Sequence, residues 1–186
     1  ISEENPALES ALLEFNEKYN LICGILNKAI VKNRKPYSPK FPHQLKKNYE
    51  ILDLIKLLKK NQFILIVITN QPELSRGGLF KYSSIFMNFL IQKYFLIDEI
   101  FVCGHDEKDK CGCRKPKNGM LKSAAKKWNI DFKKSFLIGD RWKDIEAGNS
   151  VGCKTIYIDY NYNEKIPKLY NYKFYSIQNM VKTMKK

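Results

Sequence analysis

Two rhythms of apolar residues alternate along this chain: amphipathic stretches and short unbroken runs. Residues Ser2–Glu17 carry Leu8, Leu12 and Phe15 at i, i+4, i+7 with glutamates between them, which predicts an amphipathic helix. The apolar run Leu21–Leu26 predicts a strand, and Lys32–Pro42, with three prolines, predicts a loop. Asn48–Lys60 puts Ile51, Leu54, Ile55 and Leu58 on one helical face. Phe63–Ile68 is β-branched and lacks polar alternation, as a strand buried on both faces would. Beyond it the same reading gives a helix over Leu79–Phe95, a strand over Glu99–Val102, and a helix over Asn118–Trp128. A strand over Ser135–Ile138, a helix over Lys143–Asn149, a strand over Lys154–Ile158 and a last helix over Ile177–Met184 complete it.

Alternating strands and helices imply an α/β fold: a three-layer, Rossmann-like parallel sheet with helices on both faces. A chain of 186 residues suits one such domain. Residues 1–20 are expected to be an acidic helical extension and residues 21–186 the domain proper. With Ile1 rather than Met at its start, the chain is expected to be a piece or a processed form of something longer. No apolar run approaches the ~18 residues of a membrane span, so no membrane partner is expected.

In parallel sheets ligands bind beyond the carboxyl ends of the strands, so the polar residues placed there matter most. After Ile66-Val67-Ile68 come Thr69, Asn70 and Gln71, a hydroxyl and two amides able to hold phosphoryl oxygens or simply to cap a turn. After the next strand, Cys103, His105, Cys111 and Cys113 fall within eleven residues. Three thiolates and one imidazole can close a tetrahedral zinc shell with no open position, which is a structural rather than a catalytic site. Arg114 and Lys115 follow at once, a bidentate phosphate gripper and a point charge. A third strand ends in Gly139-Asp140, where a hard carboxylate oxygen suits Mg²⁺, with Asp144 four residues on to support it or to cap the helix.

Charge adds a second theme. The net charge is +14, and residues 1–17 hold five of the 19 acids and none of the 33 Lys and Arg. The basic remainder could meet RNA or another polyanion, or reflect a Lys-, Asn- and Ile-rich composition. Cysteines clustered beside a histidine speak for a reducing intracellular compartment, cytoplasm or organelle matrix, rather than for disulfides.

Three stretches together resemble the zinc-loop branch of the haloacid dehalogenase (HAD) superfamily, which holds the heptose 1,7-bisphosphate and histidinol-phosphate phosphatases. They are Val67-Ile68-Thr69-Asn70-Gln71, Cys103-x-His105-x5-Cys111-x-Cys113-Arg114-Lys115-Pro116-Lys117, and Gly139-Asp140-Arg141-x-x-Asp144. The resemblance implies a HAD-like fold with a structural zinc loop and no large cap domain. It also implies attack on phosphorus by an aspartate at the end of the first strand, with a second aspartate two residues later as acid and base. Thr69 would orient the phosphoryl group, Lys115 would neutralise charge, Asn70 and Arg114 would bind substrate, and Asp140 would hold Mg²⁺.

The first motif breaks the pattern. Leu21 to Val31 contains no acid, and the nucleophile position falls on Ile25 or Asn27 depending on register. Neither side chain can attack phosphorus or donate a proton. The expectation is therefore a phosphatase-like domain that is inactive or repurposed for binding or structure. It would bind a phosphorylated small molecule or anion, meet a protein partner through the N-terminal helix, or serve an RNA-containing assembly. The alternative is an active Mg²⁺-dependent sugar-bisphosphate or histidinol-phosphate phosphatase.

Overall fold

The computed structural model describes residues 20–23 and 25–184, so the helix expected over Ser2–Glu17 lies outside the described residues. In chain order, β1 (Asn20–Cys23) is followed by the short strands β2 (Asn27–Lys28), β3 (Ile30–Lys32), β4 (Lys35–Tyr37) and β5 (Lys46–Lys47). Then come α1 (Leu52–Lys60), β6 (Ile64–Asn70), α2 (Gly78–Tyr94), β7 (Glu99–Cys103), α3 (Gly119–Trp128) and β8 (Ser135–Gly139). α4 (Trp142–Asn149), β9 (Lys154–Ile158), β10 (Tyr172–Phe174) and α5 (Ile177–Met184) complete the chain.

Six strands form one parallel sheet in the order β10-β9-β8-β1-β6-β7. Alternation along β6, β8 and β9 divides their side chains between two cores. Leu65, Val67, Phe136, Ile138, Ile156 and Ile158 face α1 and α5, together with Ile91 and Phe95 from the end of α2. Ile66, Ile68, Leu137 and Tyr157 face α3 and α4. Both faces are covered, which is why these strands read as unbroken apolar runs. The chain leaves β7 at one edge and returns to β8 on the far side of β1, so the order reverses beside β1. That reversal opens a crevice at the carboxyl ends of β1, β6 and β8.

Three departures from the sequence reading matter. β1 stops at Cys23, short of the expected Leu26, and Ile25 and Leu26 instead bury their side chains in the first core. The expected loop from Lys32 contains a hairpin, with Ile30 opposite Tyr37 and Val31 opposite Pro36. Its turn residues, Asn33 and Arg34, have φ of 50° and 59°, the left-handed pair that suits the twist of a two-residue hairpin. Pro36 is tolerated because a two-stranded ribbon asks for few backbone donors. Finally, β10 adds a sixth strand that three residues were too few to announce. Among the described residues no helix is long and apolar enough to cross a membrane, and no large cap is seen.

Candidate functional site

β6 delivers Thr69 and Asn70 to the crevice, and Asn70 is fully employed there. Its amide donates to the Lys115 carbonyl at 3.1 Å, and its Oδ1 accepts from the Lys115 backbone N–H at 3.0 Å. One side chain thus ties the Arg114-Lys115 segment to the strand end. The Lys115 ammonium is turned inward, 8% exposed, and donates to Ile68 O at 2.8 Å and Asp144 Oδ1 at 2.5 Å. The other oxygen of Asp144 accepts from the Arg141 backbone N–H, starting α4. The two buried charges satisfy one another, which is the condition for burying either. Gly139 is required by the same packing, since a Cβ there would lie 2.3 Å from Asp144 Cβ.

The loop after β7 gathers Cys103, His105, Cys111 and Cys113, whose ligand atoms all lie within 4.8 Å of one another. Cys113 Sγ is 3.1 Å from Cys103 Sγ and 3.5 Å from Cys111 Sγ, and His105 Nδ1 is 3.3 Å from Cys113 Sγ. A tetrahedron with Zn–S bonds of about 2.3 Å has edges of about 3.7 Å, so the cluster is close to that size. Burial, reinforced by the neighbouring Cys113 thiol, pushes the Cys103 thiol up to about 12. Sulfur atoms crowded in this way are best accommodated around a cation, and the donor set fits zinc. The loop is braced from outside: Lys117 Nζ donates to the carbonyls of Lys110 and Cys111, and Arg114 Nη1 to that of His105 at 2.8 Å. Arg114 therefore lies back on the metal loop, with its Nε buried and without a partner.

β8 ends by placing Asp140 in a cleft of about 270 Å³. Ile25, Asn27, Lys28, Asn48, Glu50, Tyr160, Asn161 and Tyr162 also line it, so both sequence registers for the nucleophile reach the same cleft. Neither brings a carboxylate. Ile25 begins two residues beyond the last residue of β1 and Asn27 four beyond, and the intervening Gly24, outside the described residues, is no acid either. The cleft's two acids each accept a hydrogen bond. Tyr162 OH donates to Asp140 Oδ2 at 3.1 Å, and Lys28 Nζ to Glu50 at 3.1 Å. Burial, then the nearby Asp144 carboxylate, raises Asp140 to about 7 against the opposing pull of Tyr162 and Arg141. Arg141 itself pairs with Glu164, and Arg34 Nη2 donates to Asn161 Oδ1 at 2.7 Å, so the segment after β9 is clamped over the cleft from two sides. Sequence reasoning missed Tyr162 and Glu164, because Tyr160-Asn161-Tyr162-Asn163 carries no motif. It also gave Lys115 the neutralising of phosphoryl charge and Asp144 the support of Asp140 or the capping of the helix, without pairing them.

The sheet order, the paired ribbons after β1, the cysteine-histidine loop and the Gly-Asp strand end define a HAD-like hydrolase fold. A family model described as HAD-hydrolase-like matches residues 112–165. A D-glycero-beta-D-manno-heptose-1,7-bisphosphate 7-phosphatase of Haemophilus influenzae is 34% identical over 115 residues, 56% of this chain and 61% of the relative. The Histidine biosynthesis bifunctional protein HisB of Blochmanniella floridana is 32% identical over 149 residues, 70% of this chain and 41% of the relative. The chain thus spans about three fifths of the length of the heptose-bisphosphate relatives it matches, 62% for the one from Haemophilus ducreyi. A solved D,D-heptose 1.7-bisphosphate phosphatase from B. bronchiseptica, complexed with magnesium and phosphate, superposes with a TM-score of 0.73 at 19% identity. It covers 90% of this chain and 98% of its own, a likeness of fold. The chain has the HAD-like fold, and its sequence resembles the heptose bisphosphate phosphatase branch of the haloacid dehalogenase superfamily.

Proposed function

We propose that this domain is a zinc-pinned phosphatase fold that no longer hydrolyses phosphate esters by its family's route and acts instead by binding. The observation that carries this reading is the cleft itself. Where attack on phosphorus needs a carboxylate, the chain offers Ile25 and Asn27, and the one acid at the end of β8 is held by a phenol. An isoleucine has no reactive atom, and a neutral amide is a poor nucleophile and no general acid. Removing a covalent nucleophile costs roughly 10⁴-fold or more in rate.

Mg²⁺ wants hard, anionic oxygens in octahedral array. Among the described residues the cleft offers two carboxylates, Asp140 and Glu50, and Glu50 is paired with Lys28, so Asp140 would hold the ion with few anionic partners. Zinc fits the other corner, where Cys103, His105, Cys111 and Cys113 would hold it as a closed structural site. The space left in the cleft, with Lys28 and Arg34 at its wall, suits a phosphorylated small molecule or a similar anion.

The test is a phosphate-release assay on D-glycero-D-manno-heptose 1,7-bisphosphate and histidinol phosphate with Mg²⁺, beside a thermal-shift measurement with the same compounds. The expected outcome is a ligand-dependent rise in Tm without phosphate release. Turnover at ordinary enzyme rates, in the range of 1–10³ s⁻¹, would sink the proposal.

A further inference from the structure

α2 is apolar on both sides. Inward it buries Ser83, Ser84, Met87 and Ile91, while Leu79, Tyr82, Ile85, Phe86 and Phe89 on its outer side are 69%, 70%, 49%, 50% and 53% exposed. Leu79, Tyr82, Phe86, Phe89 and Lys93 fall at i, i+3, i+7, i+10 and i+14, one stripe about 20 Å long. Ile85 widens the stripe on one side. The helix holds two exposed lysines, Lys81 beyond the edge of the stripe and Lys93 at its end, and no acid. The Lys93 ammonium lies 5.9 Å from the centre of the Phe89 ring. A helix that is apolar all round is normally buried all round. Single exposed apolar residues need no explanation, whereas a contiguous patch marks a contact surface.

The size and the charges of the patch decide what covers it. Phe and Tyr side chains carry about 150–250 Å² each, so at these exposures the three rings with Leu79 and Ile85 leave on the order of 500–600 Å² open. Two such patches face to face remove about 1,000–1,200 Å² from water, the size at which specific interfaces begin. The patch is also self-complementary. Around a two-fold axis at Phe86, with the helices antiparallel, Phe86 meets its own copy and Tyr82 meets Phe89, ring against ring. Charge sets the direction. Parallel helices would bring Lys93 against Lys93 on the stripe, whereas antiparallel helices hold the two about 20 Å apart along the axis, each stem lying over Leu79 at the rim. We propose that two copies of this chain associate through this face, their α2 helices antiparallel about a two-fold axis at Phe86. Each copy carries a net charge of +14, so the contact is an apolar one made against a repulsive background, and salt should tighten it.

Sedimentation equilibrium of the full chain across micromolar concentrations tests this. The expected result is a species of twice the mass in reversible exchange with the single chain, its Kd falling several-fold from low to high salt. Phe86→Asp replaces an exposed ring at the axis and should raise Kd by about tenfold or more, as loss of a central aromatic anchor does, with circular dichroism unchanged. Phe86→Cys gives a second readout that needs no loss of binding. A disulfide needs Cα atoms within about 7 Å, so under mild oxidation Phe86→Cys should link two chains, while Leu79→Cys, about 20 Å from its own copy, should behave as the wild type does. A chain that stays at single mass throughout overturns the proposal. So does a dimer that survives Phe86→Asp, or one linked through Leu79→Cys rather than Phe86→Cys. An association that weakens as salt rises also overturns it, and would assign the contact to opposite charges elsewhere on the chain.

Discussion

Two corners at the same end of the sheet have different fates. The loop after β7 brings four metal-ligating atoms within 4.8 Å of one another and braces them with three further side-chain hydrogen bonds. The crevice beside β1, one strand beyond β6, presents Ile25 and Asn27 just past the strand, and its two acids, Asp140 and Glu50, accept from Tyr162 and Lys28. On the function proposed above, the structural and chemical halves of such a site are separable. A metal held by the cysteine-histidine loop would stabilise the fold whether or not anything reacts beside it, while an attacking carboxylate is not needed for folding. Lys115 sits between the two halves. Its ammonium donates to the buried carboxylate of Asp144 and to Ile68 O.

The comparison breaks most decisively at the metal. Cys103→Ser, or exhaustive chelation, should take zinc from about one per chain to near zero by elemental analysis. It should also cost about 4 kcal/mol or more, since loss of a metal is among the severe mechanisms. At about 2–4 °C per kcal/mol for a chain of this size, Tm should fall by roughly 10 °C or more. If zinc is absent from the purified protein, the distinction drawn between the corners collapses. Next in size is Lys115→Met, which strands the Asp144 carboxylate. Breaking a buried pair from one side costs about 3–5 kcal/mol, readable in urea unfolding, and the double variant with Asp144→Asn should recover part of it.

A smaller effect sharpens the other corner. Desolvation of the half-buried Asp140 carboxyl, and then the charge of Asp144, raises it from the usual 3.8 to about 7 in the folded protein. Between those values the folded state keeps a proton that the unfolded chain has released. Stability therefore falls as pH rises through that window and stays reduced above it. Asp140→Asn removes this slope, so the variant's Tm should gain on the wild type between pH 5 and pH 8. The smallest effect is Tyr162→Phe. It deletes one hydrogen bond, worth about 1 kcal/mol, and moves the Asp140 titration, followed by carboxyl NMR, further upward.

Much of the fold was legible because periodicity is a direct image of burial. Ile51, Leu54, Ile55 and Leu58 are the buried side of α1 and its entry turn, and the strand runs are unbroken because cores lie on both faces. The hairpin at Asn33-Arg34 was hidden because its left-handed turn uses no glycine and one of its strands contains Pro36. The metal cluster was legible from spacing alone, since its ligands are local. The Lys115–Asp144 pair and the hydroxyl of Tyr162 were not, because they join segments 29 and 22 residues apart and rest on packing that no local pattern encodes.

The close approach at Gly139 carries a last consequence. Any side chain there would collide with Asp144 whatever the cleft does. A saturation-mutagenesis map scored on folding should show Gly139 and Asp144 as intolerant and the adjacent Asp140 as permissive. Two of the three residues that spell the Gly-Asp signature would then be kept by geometry alone. A signature of this kind can outlive the reaction it once accompanied, much as a keystone outlasts the traffic under its arch.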